Sequence, residues 1–432
     1  MSSAKVNWDH CLQHAALTDI GMRRANNQDS HAVVIADTIK TWEERGHLLM
    51  VADGMGAHAA GELASKLAVD GVPFLYHKYR DQSPPEAMQS AILETNAEIN
   101  RRGKANSDFH NMGTTCTALV LLPQGAIAAH IGDSRVYRQR GDVIEQLTFD
   151  HSLVWEVRAS GQLPAGCDAG RIPKNVITRS LGPHATVQVD VEGPFPIEVG
   201  DTFLLCSDGL TGQVEDDEIG AILSVLPPKD AAQVLVDLAN LRGGPDNCTV
   251  LIAKVTGPEL ASAAIRAEPL TVGIDQKKPA VHPGMWIGAG VCFLAAIALG
   301  MLNVVIGALI AGGAGALILC IALILLSSGR GGIALVGGKR LGKGPYVRVS
   351  CAPGDTLIEK LSETIHKLRE TAFERQLSID WSKITQSCTQ AEEARNAKRP
   401  AEAVRDYCRA ITEMMQELRS YNRKKASDSS VL

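Results

Sequence analysis

Residues 48–62 read LLMVADGMGAHAAGE, and this stretch joins a short apolar run to an alanine-rich one through Asp53 and Gly54. The apolar run is typical of a buried strand, and the alanine-rich segment predicts a helix over 59–79. A carboxylate at the end of such a strand sits on a rigid support at the rim of a sheet, and the glycine beside it lets backbone carbonyls approach an ion. The stretch therefore predicts a cation-binding position at a sheet edge.

A similar arrangement recurs at three other places in the first 250 residues. Asp133 follows the apolar run AIAAHIG, Asp208 follows FLLCS, and Asp246 comes just before a strand-like run that begins at Cys248. One Asp-Gly pair is an ordinary turn sequence, but four acidic residues in this setting favour a shared site. Converging carboxylate, carbonyl and water oxygens favour the hard cations Mg²⁺ and Mn²⁺ over zinc.

Short strands alternate with helices over the first 255 residues, which is typical of a mixed α/β domain. Hydrophobic residues make up 45% of the chain, so there is ample apolar material for a packed core. The predicted strands are 47–52, 115–122, 126–131, 201–206 and 248–255, and the predicted helices are 59–79, 85–101, 216–226 and 229–241.

Eight stretches of the first 255 residues can be compared with known families. They read DIGMRRANNQDS, VADGMGAHAAGE, MGTTCTALVL, IGDSRVY, FDHSL, VITRSLG, LCSDGLTG and GGPDNCTV. In their order and spacing, the sequence from Asp19 to Val255 resembles the type 2C family of metal-dependent protein serine/threonine phosphatases, in its bacterial form. This resemblance implies an α+β fold, a four-layer α-β-β-α sandwich with two antiparallel sheets between helix pairs and a binuclear metal site at one end.

The resemblance also implies which residues hold two metal ions, Mn²⁺ or Mg²⁺. Asp53 would bridge both ions, and the carbonyl of Gly54 would bind one of them. Asp208 and Asp246 would bind the other ion. Asp133 matches the position of a third and weaker metal.

Further residues match the family's phosphate-binding and supporting positions. Arg24 matches the arginine that binds phosphate, and Asp29 matches an acid behind the metal ligands. Asn247 and Thr114 are expected to support the site. The family's eukaryotic members often carry a histidine, a candidate general acid, where this chain has Met55, so the resemblance leaves the general acid unassigned.

Two further segments near the predicted site carry open questions. His58 lies close in sequence, but a packing or capping role is at least as well supported as proton transfer. The stretch 160–175 corresponds to the family's variable flap over the site, and its glycines and prolines predict a mobile loop that would select substrates.

The predicted activity is hydrolysis of phosphoserine and phosphothreonine on proteins by direct attack of a metal-bridging water. Phosphoryl transfer needs mainly positioning and charge neutralisation, which two cations and an arginine fork supply. A cysteine-based phosphatase is excluded, because no cysteine precedes an arginine at the spacing of that class. A pseudophosphatase that only reads phosphate is disfavoured by the intact set Arg24, Asp53, Asp208 and Asp246.

Charge and cysteine usage indicate the partners and the compartment. The net charge of −5 is unevenly spread, because the part before residue 330 is acidic and residues 330–432 are basic. The acidic part makes nucleic acid a poor partner, whereas the basic tail suits anionic lipid head groups or acidic proteins. The 10 cysteines are scattered singly and no leader opens the sequence, so a reduced, cytoplasmic catalytic domain is expected.

The 42 residues from Met285 to Leu326 contain no Asp, Glu, Lys, Arg or His. This run predicts a transmembrane hairpin of two helices that turns near Asn303, and basic residues on both flanks favour a cytoplasmic position for both termini. The expected localisation is the cytoplasmic (inner) membrane, multi-pass, with the lipid bilayer as a partner. A buried helical hairpin in a soluble protein is the alternative.

Beyond the hairpin, helices are expected over 356–373, 380–397 and 400–418, because apolar residues recur there at helical spacing. They predict a small all-α C-terminal domain, either a three-helix bundle or a single tetratricopeptide-like pair, that could dock a protein partner. The predicted domains are a phosphatase domain 1–257, a linker 258–283, the hairpin 284–327, a basic juxtamembrane linker 328–354, the helical domain 355–422 and a flexible tail 423–432.

Overall fold

A computed structural model describes residues 5–56, 59–160, 173, 176–262, 283–302, 304–328 and 341–429 of the chain. Its strands are β1 Leu12–Asp19, β2 Asp29–Val34, β3 His47–Met55, β4 Gly113–Thr114, β5 Cys116–Leu122, β6 Gly125–Ile131, β7 Arg135–Arg140, β8 Val143–Gln146, β9 Asp190–Phe195, β10 Thr202–Cys206, β11 Cys248–Val255 and β12 Val347–Ser350. Its α-helices are α1 Ile39–Arg45, α2 Ala60–Lys78, α3 Pro84–Ala105, α4 Leu153–Ala159, α5 Asp208–Thr211, α6 Asp216–Val225, α7 Pro228–Leu241, α8 Pro283–Met301, α9 Val305–Ser328, α10 Asp355–Glu374, α11 Ser382–Asn396 and α12 Pro400–Ser429.

The strands form two antiparallel sheets. One sheet has the order β1-β11-β10-β7-β8-β12, and the other has the order β2-β3-β5-β6-β9 with β4 paired to β3. Fully buried apolar side chains from both sheets, such as Leu49, Leu119, Val136, Leu205 and Leu251, form the core between them. Strands β3, β5, β10 and β11 are buried on both faces almost throughout. They therefore read as nearly unbroken apolar runs, which makes them recognisable in the sequence.

Helices cover the outer faces of the sandwich. Helix α2 packs on β2 and β3, and Gly71 of α2 lies against Thr95 of α3. On the other face, Ile219 of α6 and Leu235 of α7 share a buried cluster with Leu204 and Ile252. The predicted α+β sandwich with helices on both faces is therefore confirmed for the catalytic part of the chain.

The chain after residue 340 joins this fold in the structure. β12 pairs antiparallel with β8, with Val347 opposite Gln146 and Ser350 opposite Val143. A linker is predicted over 328–354, but the structure has a strand within this segment, β12. Residues 329–340 of the segment lie outside the described residues. A four-residue edge strand carries too little sequence pattern to be distinguished from a loop.

Helices α10 and α11 lie within two residues of their predicted bounds, and α12 begins at the predicted residue. All three contribute to the same hydrophobic cluster as α6 and α7. Ile358, Leu361, Tyr407 and Ile411 are all fully or almost fully buried in that cluster. The α12 helix also runs to Ser429, into the segment predicted as a flexible tail. The division of the chain into domains and the docking of a partner on these helices stay predictions.

Helices α8 and α9 lie in a second compact unit and pack on each other. A Cβ atom added at Gly315 would lie 3.2 Å from the Cβ of Cys292, so the glycine allows close approach of the two helices. Among the residues described, no helix combines the length and the apolar character that crossing a membrane requires. The predicted transmembrane hairpin at 284–327 and the predicted multi-pass membrane localisation with both termini cytoplasmic are therefore wrong.

The prediction is wrong because the absence of charge does not by itself make a segment a membrane span. Freedom from ionisable groups over Met285–Leu326 shows only that no charge opposes burial, whereas a span needs about 20 consecutive apolar residues in one helix. The lipid bilayer was expected as a partner on the same observation, and no helix in the described ranges supports it.

Candidate active site

Five predicted acidic residues meet at one end of the sandwich. Asp29 lies directly opposite Asp53 in the β2–β3 pair, while Asp208 follows β10 as the first residue of α5. Asp133 lies in the turn between β6 and β7, and Asp246 lies in the loop before β11. The strand ends of both sheets therefore bring together side chains that are distant in the sequence. Asp29 and Asp246 are 217 positions apart, and the charges of both raise the pKa of Asp53.

Asp29, Asp53, Asp133 and Asp208 are buried close to other carboxylates, and this raises the pKa of each of them. Burial raises the pKa of Asp53 well above its usual range, and the charges of Asp29, Asp208, Asp133 and Asp246 raise it further. Burial first, and then the charge of Asp246, raises the pKa of Asp208. Carboxylates in such a setting need compensating positive charge if they are all to be ionised at neutral pH.

Three of the carboxylates also have an oxygen that accepts no hydrogen bond from the described residues. The Oδ1 atoms of Asp29, Asp133 and Asp208 are buried and have no hydrogen-bond partner among the described residues. Buried polar atoms are normally satisfied, so such atoms require an explanation. Unpartnered carboxylate oxygens at the end of a rigid sheet fit the oxygen-rich coordination that Mg²⁺ and Mn²⁺ prefer.

These carboxylates do not form a closed ligand shell in the structure. Within the described ranges, no three of them place one oxygen each within 4.8 Å of one another. The structure thus gathers the predicted metal ligands at one edge, but the assignment of each to an ion stays a prediction.

Arg24 is a basic side chain at this edge. Its Nη2 donates a hydrogen bond to Oδ2 of Asp246 at 2.7 Å, and about half of the Arg24 side chain is exposed. Its charge also opposes the rise in the pKa of Asp208. The guanidinium is therefore anchored next to the carboxylates while part of it faces solvent, where a phosphate group could reach it.

Asn247 ties the loop that carries Arg24, residues 20–28 and here called the Arg24 loop, to the loop that carries Asp246. Its Oδ1 accepts a hydrogen bond from the backbone N–H of Gln28 at 2.8 Å. Its Nδ2 donates to the carbonyls of Ile20 and Asn26 at 2.9 and 3.0 Å. The predicted supporting role of Asn247 thus has a geometric basis, because these bonds connect both ends of the loop around Arg24.

Thr114 and its neighbour hold the backbone around Asp53. The Oγ1 of Thr114 donates to the Asp53 carbonyl at 2.9 Å, and the N–H of Asp53 donates to Oγ1 of Thr115 at 2.8 Å. Gly54 lies so close to α2 that an added Cβ would be 2.1 Å from the carbonyl oxygen of Gly61. A larger residue at position 54 would therefore displace the backbone next to Asp53.

Ser207 is a supporting residue that the sequence analysis did not single out. Its Oγ donates to Oδ2 of Asp29 at 2.7 Å and accepts from the N–H of Thr249 at 3.0 Å. Ser207 immediately precedes Asp208 in the stretch LCSDGLTG. Its place between a buried strand and an acidic residue is the signal that could have identified it.

A second missed group lies beside Asp133. The guanidinium of Arg135 forms an ion pair with Asp150 at 2.7 Å and lies over the ring of Trp155. Both charged residues belong to quoted stretches, IGDSRVY and FDHSL, to which no role was given. A pocket of about 270 Å³ opens here and is lined by Asp133, Arg135, Asp150, Trp155, Arg158 and Asp208 among others.

The structure leaves two predicted features undescribed. His58 lies outside the described residues, and so do residues 161–172 and 174–175 of the predicted flap. The helix that leads into the flap, α4, is described and carries Trp155 and Arg158 at the rim of the pocket.

Comparison with known proteins decides the family. Residues 22–238 match the family described as protein phosphatase 2C. The chain belongs to the protein phosphatase 2C family. It is 37% identical over 248 residues to protein phosphatase PhpP of Streptococcus pneumoniae serotype 2 strain D39, which covers 56% of this chain and 98% of PhpP. It is 36% identical over 242 residues to the serine/threonine phosphatase stp of Listeria innocua, which covers 55% of this chain and 93% of that protein.

Solved structures of similar proteins are also phosphatases. The serine/threonine phosphatase PstP/Ppp of Mycobacterium tuberculosis shares 34% identity and a TM-score of 0.49, over 57% of this chain and 100% of that one. A PstP catalytic domain in complex with two manganese ions shares 33% identity and a TM-score of 0.47, over 57% and 99%. The predicted family and the predicted class of enzyme, a protein serine/threonine phosphatase, are confirmed by the family match and the curated relatives.

Proposed function

We propose that this phosphatase hydrolyses phosphoserine and phosphothreonine on proteins by direct attack of water at the edge formed by Asp53, Asp208 and Asp246. The observation that carries the proposal is that five carboxylates lie at one end of the sandwich, where one of them, Asp246, accepts a hydrogen bond from Arg24. A fold that retains this arrangement at a cost in stability gains from it only if cations and an anionic substrate bind there.

The cofactors would be two Mn²⁺ or Mg²⁺ ions, and Asp53, the Gly54 carbonyl, Asp208 and Asp246 are the groups that would hold them. Asp133, with its unpartnered Oδ1, would hold a third. Such ions, when bound, supply a water of lowered pKa as nucleophile and neutralise charge on the phosphate oxygens. Asp29 lies opposite Asp53 and accepts a hydrogen bond from Ser207, the residue that precedes Asp208.

Arg24 binds the phosphate group and orients it. A guanidinium presents two parallel N–H donors, which match two oxygens of a phosphate monoester. The hydrogen bond of Arg24 to Asp246 leaves part of the fork exposed to solvent and sets its direction. Because phosphoryl transfer depends mainly on alignment and charge, this orientation contributes directly to the rate.

The test uses the full chain with MnCl₂, p-nitrophenyl phosphate and a phosphothreonine peptide. We expect hydrolysis of both, loss of activity in excess chelator, recovery when Mn²⁺ is returned, and a loss of at least about 100-fold in kcat/KM for Asp208→Ala. Asp230→Ala is the matched control, because Asp230 is an exposed acidic residue at the start of α7. Full activity in chelator, or an active Asp208→Ala variant, would overturn the proposal.

A further inference from the structure

The C-terminal helix α12 reaches the catalytic part of the chain through one charged side chain. The Nη2 atom of Arg419 lies 3.1 Å from Oδ2 of Asp19 and 3.2 Å from Oδ1 of Asp237. About a third of the Arg419 side chain is exposed, whereas the Asp237 side chain is almost completely buried. One guanidinium therefore bridges the end of β1 and the middle of α7.

Asp19 is the point from which the Arg24 loop starts. Its Oδ1 accepts a hydrogen bond from the N–H of Gly21 at 2.9 Å. Gly21 has a φ of +80° and lies so close to the next loop that a Cβ would be 2.1 Å from the Asp246 carbonyl oxygen. The carboxylate that Arg419 contacts thus fixes the turn that leads to Arg24.

The same carboxylate also holds the loop that carries Asp246. Oδ1 of Asp19 accepts a second hydrogen bond, from Nδ2 of Asn240 near the end of α7, at 3.0 Å. In the loop after α7, the carbonyl of Gly244 accepts a hydrogen bond from the N–H of Met22 at 2.8 Å. Asp19 is therefore the junction between the two loops whose side chains, Arg24 and Asp246, meet at 2.7 Å.

We propose that Arg419 is a positioning residue for phosphate binding: by holding Asp19 against α7, it fixes the relative position of the Arg24 and Asp246 loops. This inference rests on the proposed roles of Arg24 and Asp246. In this proposal the C-terminal helix α12 positions residues of the site in addition to packing against the catalytic part of the chain. The match to PhpP takes 98% of that protein and 56% of this chain, so that relative has little length left for such a brace.

A purely structural role for Arg419 is the competing explanation, because loss of its charge leaves Asp237 buried without a cation. The design therefore combines Arg419→Gln with Asp237→Asn, which removes the buried charge together with its partner. The single variant Arg419→Gln should be less stable than this double variant. Arg423→Ala is the matched control, since Arg423 is an exposed arginine on the same helix.

The first measurement is hydrogen–deuterium exchange of the full chain over residues 19–26 and 240–247. We expect the amides of Gly21 and Met22 to exchange about tenfold faster in the double variant than in the wild type, because their acceptors are no longer held in place. Unchanged exchange in both segments would overturn the inference. This readout does not depend on catalysis, so it shows whether Arg419 holds the two loops even if the proposed function fails.

The second measurement is the steady-state kinetics of the same proteins with p-nitrophenyl phosphate and MnCl₂. We expect KM to rise about tenfold in the double variant, with a smaller change in kcat, because the phosphate-binding fork is displaced while the carboxylates remain. Arg423→Ala should match the wild type. A wild-type KM in the double variant, while Arg24→Ala raises KM, would show that Arg419 is structural only.

Discussion

Asp29 and Asp53 lie directly opposite each other on neighbouring antiparallel strands, and the charge of Asp29 raises the pKa of Asp53. Residues opposite each other in such a pair project to the same face of the sheet, with their Cβ atoms about 5 Å apart. Two carboxylates at this distance repel each other, and like charges in this position destabilise a sheet. The pair is therefore a site where the fold gives up stability for function.

Replacing Asp53 should separate the effect of the carboxylate on stability from its effect on activity. In chelator, we expect Asp53→Asn to raise the free energy of unfolding by about 1 kcal/mol, because a like charge is removed from the cluster. With Mn²⁺, the same variant should lose at least about 100-fold in kcat/KM, because a carboxylate that is proposed to hold the metal is missing. Urea unfolding and p-nitrophenyl phosphate hydrolysis measure the two quantities. A variant that is less stable in chelator would contradict the account of repulsion, and Asp230→Asn should change neither quantity.

Mn²⁺ should stabilise the protein because it binds the folded cluster and not the unfolded chain. At a concentration about 100 times its dissociation constant, an ion that binds one site adds about 2.7 kcal/mol to the free energy of unfolding. We expect a clear rise in Tm for the wild type and a smaller rise for Asp208→Asn, measured by differential scanning fluorimetry. An equal rise in both proteins would show that Mn²⁺ binds elsewhere.

The sequence predicted the catalytic edge because each acid there follows or precedes a local pattern. Asp53 directly follows a buried apolar run, and Asp208 follows another one after a single serine. Such runs predict strands from local sequence alone. Asp29, on the more exposed strand β2, was assigned by resemblance alone. The arrangement of the strands into two sheets also came from the resemblance, since local patterns do not specify which strands pair.

The features that the sequence did not predict depend on contacts between distant residues. Arg419 reaches Asp19 across 400 positions, and no local periodicity encodes that pair. The four residues of β12 gain their strand conformation from β8, which lies about 200 positions earlier. The uncharged run 285–326 predicts a membrane span from composition alone, and no helix in the described ranges has the length and apolar character of one.

Truncation of Leu361 tests whether the C-terminal helices and the catalytic part share one core. Leu361 of α10 is fully buried in the cluster that includes Ile219 and Leu235, so Leu361→Ala should cost about 2–5 kcal/mol. We expect the urea midpoints followed by circular dichroism and by residual phosphatase activity to fall together. Phe373→Ala is the control on the same helix, because 86% of Phe373 is exposed. An unchanged midpoint of activity would contradict a shared core.

Acid should destabilise the fold through its buried histidines. His47 is completely buried, stacks on Trp42 with ring centroids 4.5 Å apart, and accepts a hydrogen bond from the N–H of Ala36 through Nδ1. Burial lowers its pKa to about 3, and burial together with the charge of His151 lowers the pKa of His130 to about 3. In the folded state both rings therefore stay neutral at pH values where the unfolded chain binds protons.

The sign and size of this effect follow from linkage. Stability is fully present above the unfolded pKa of about 6.5 and is lost as the pH falls toward 3, because the unfolded chain binds protons that the folded chain excludes. Each ring should cost about 2 kcal/mol between pH 7 and pH 5. Urea unfolding at the two pH values measures the loss, which should shrink by about 2 kcal/mol in His47→Gln and stay unchanged in His110→Gln, since His110 is exposed. An equal loss in His47→Gln and the wild type would show that His47 is already protonated in the folded protein.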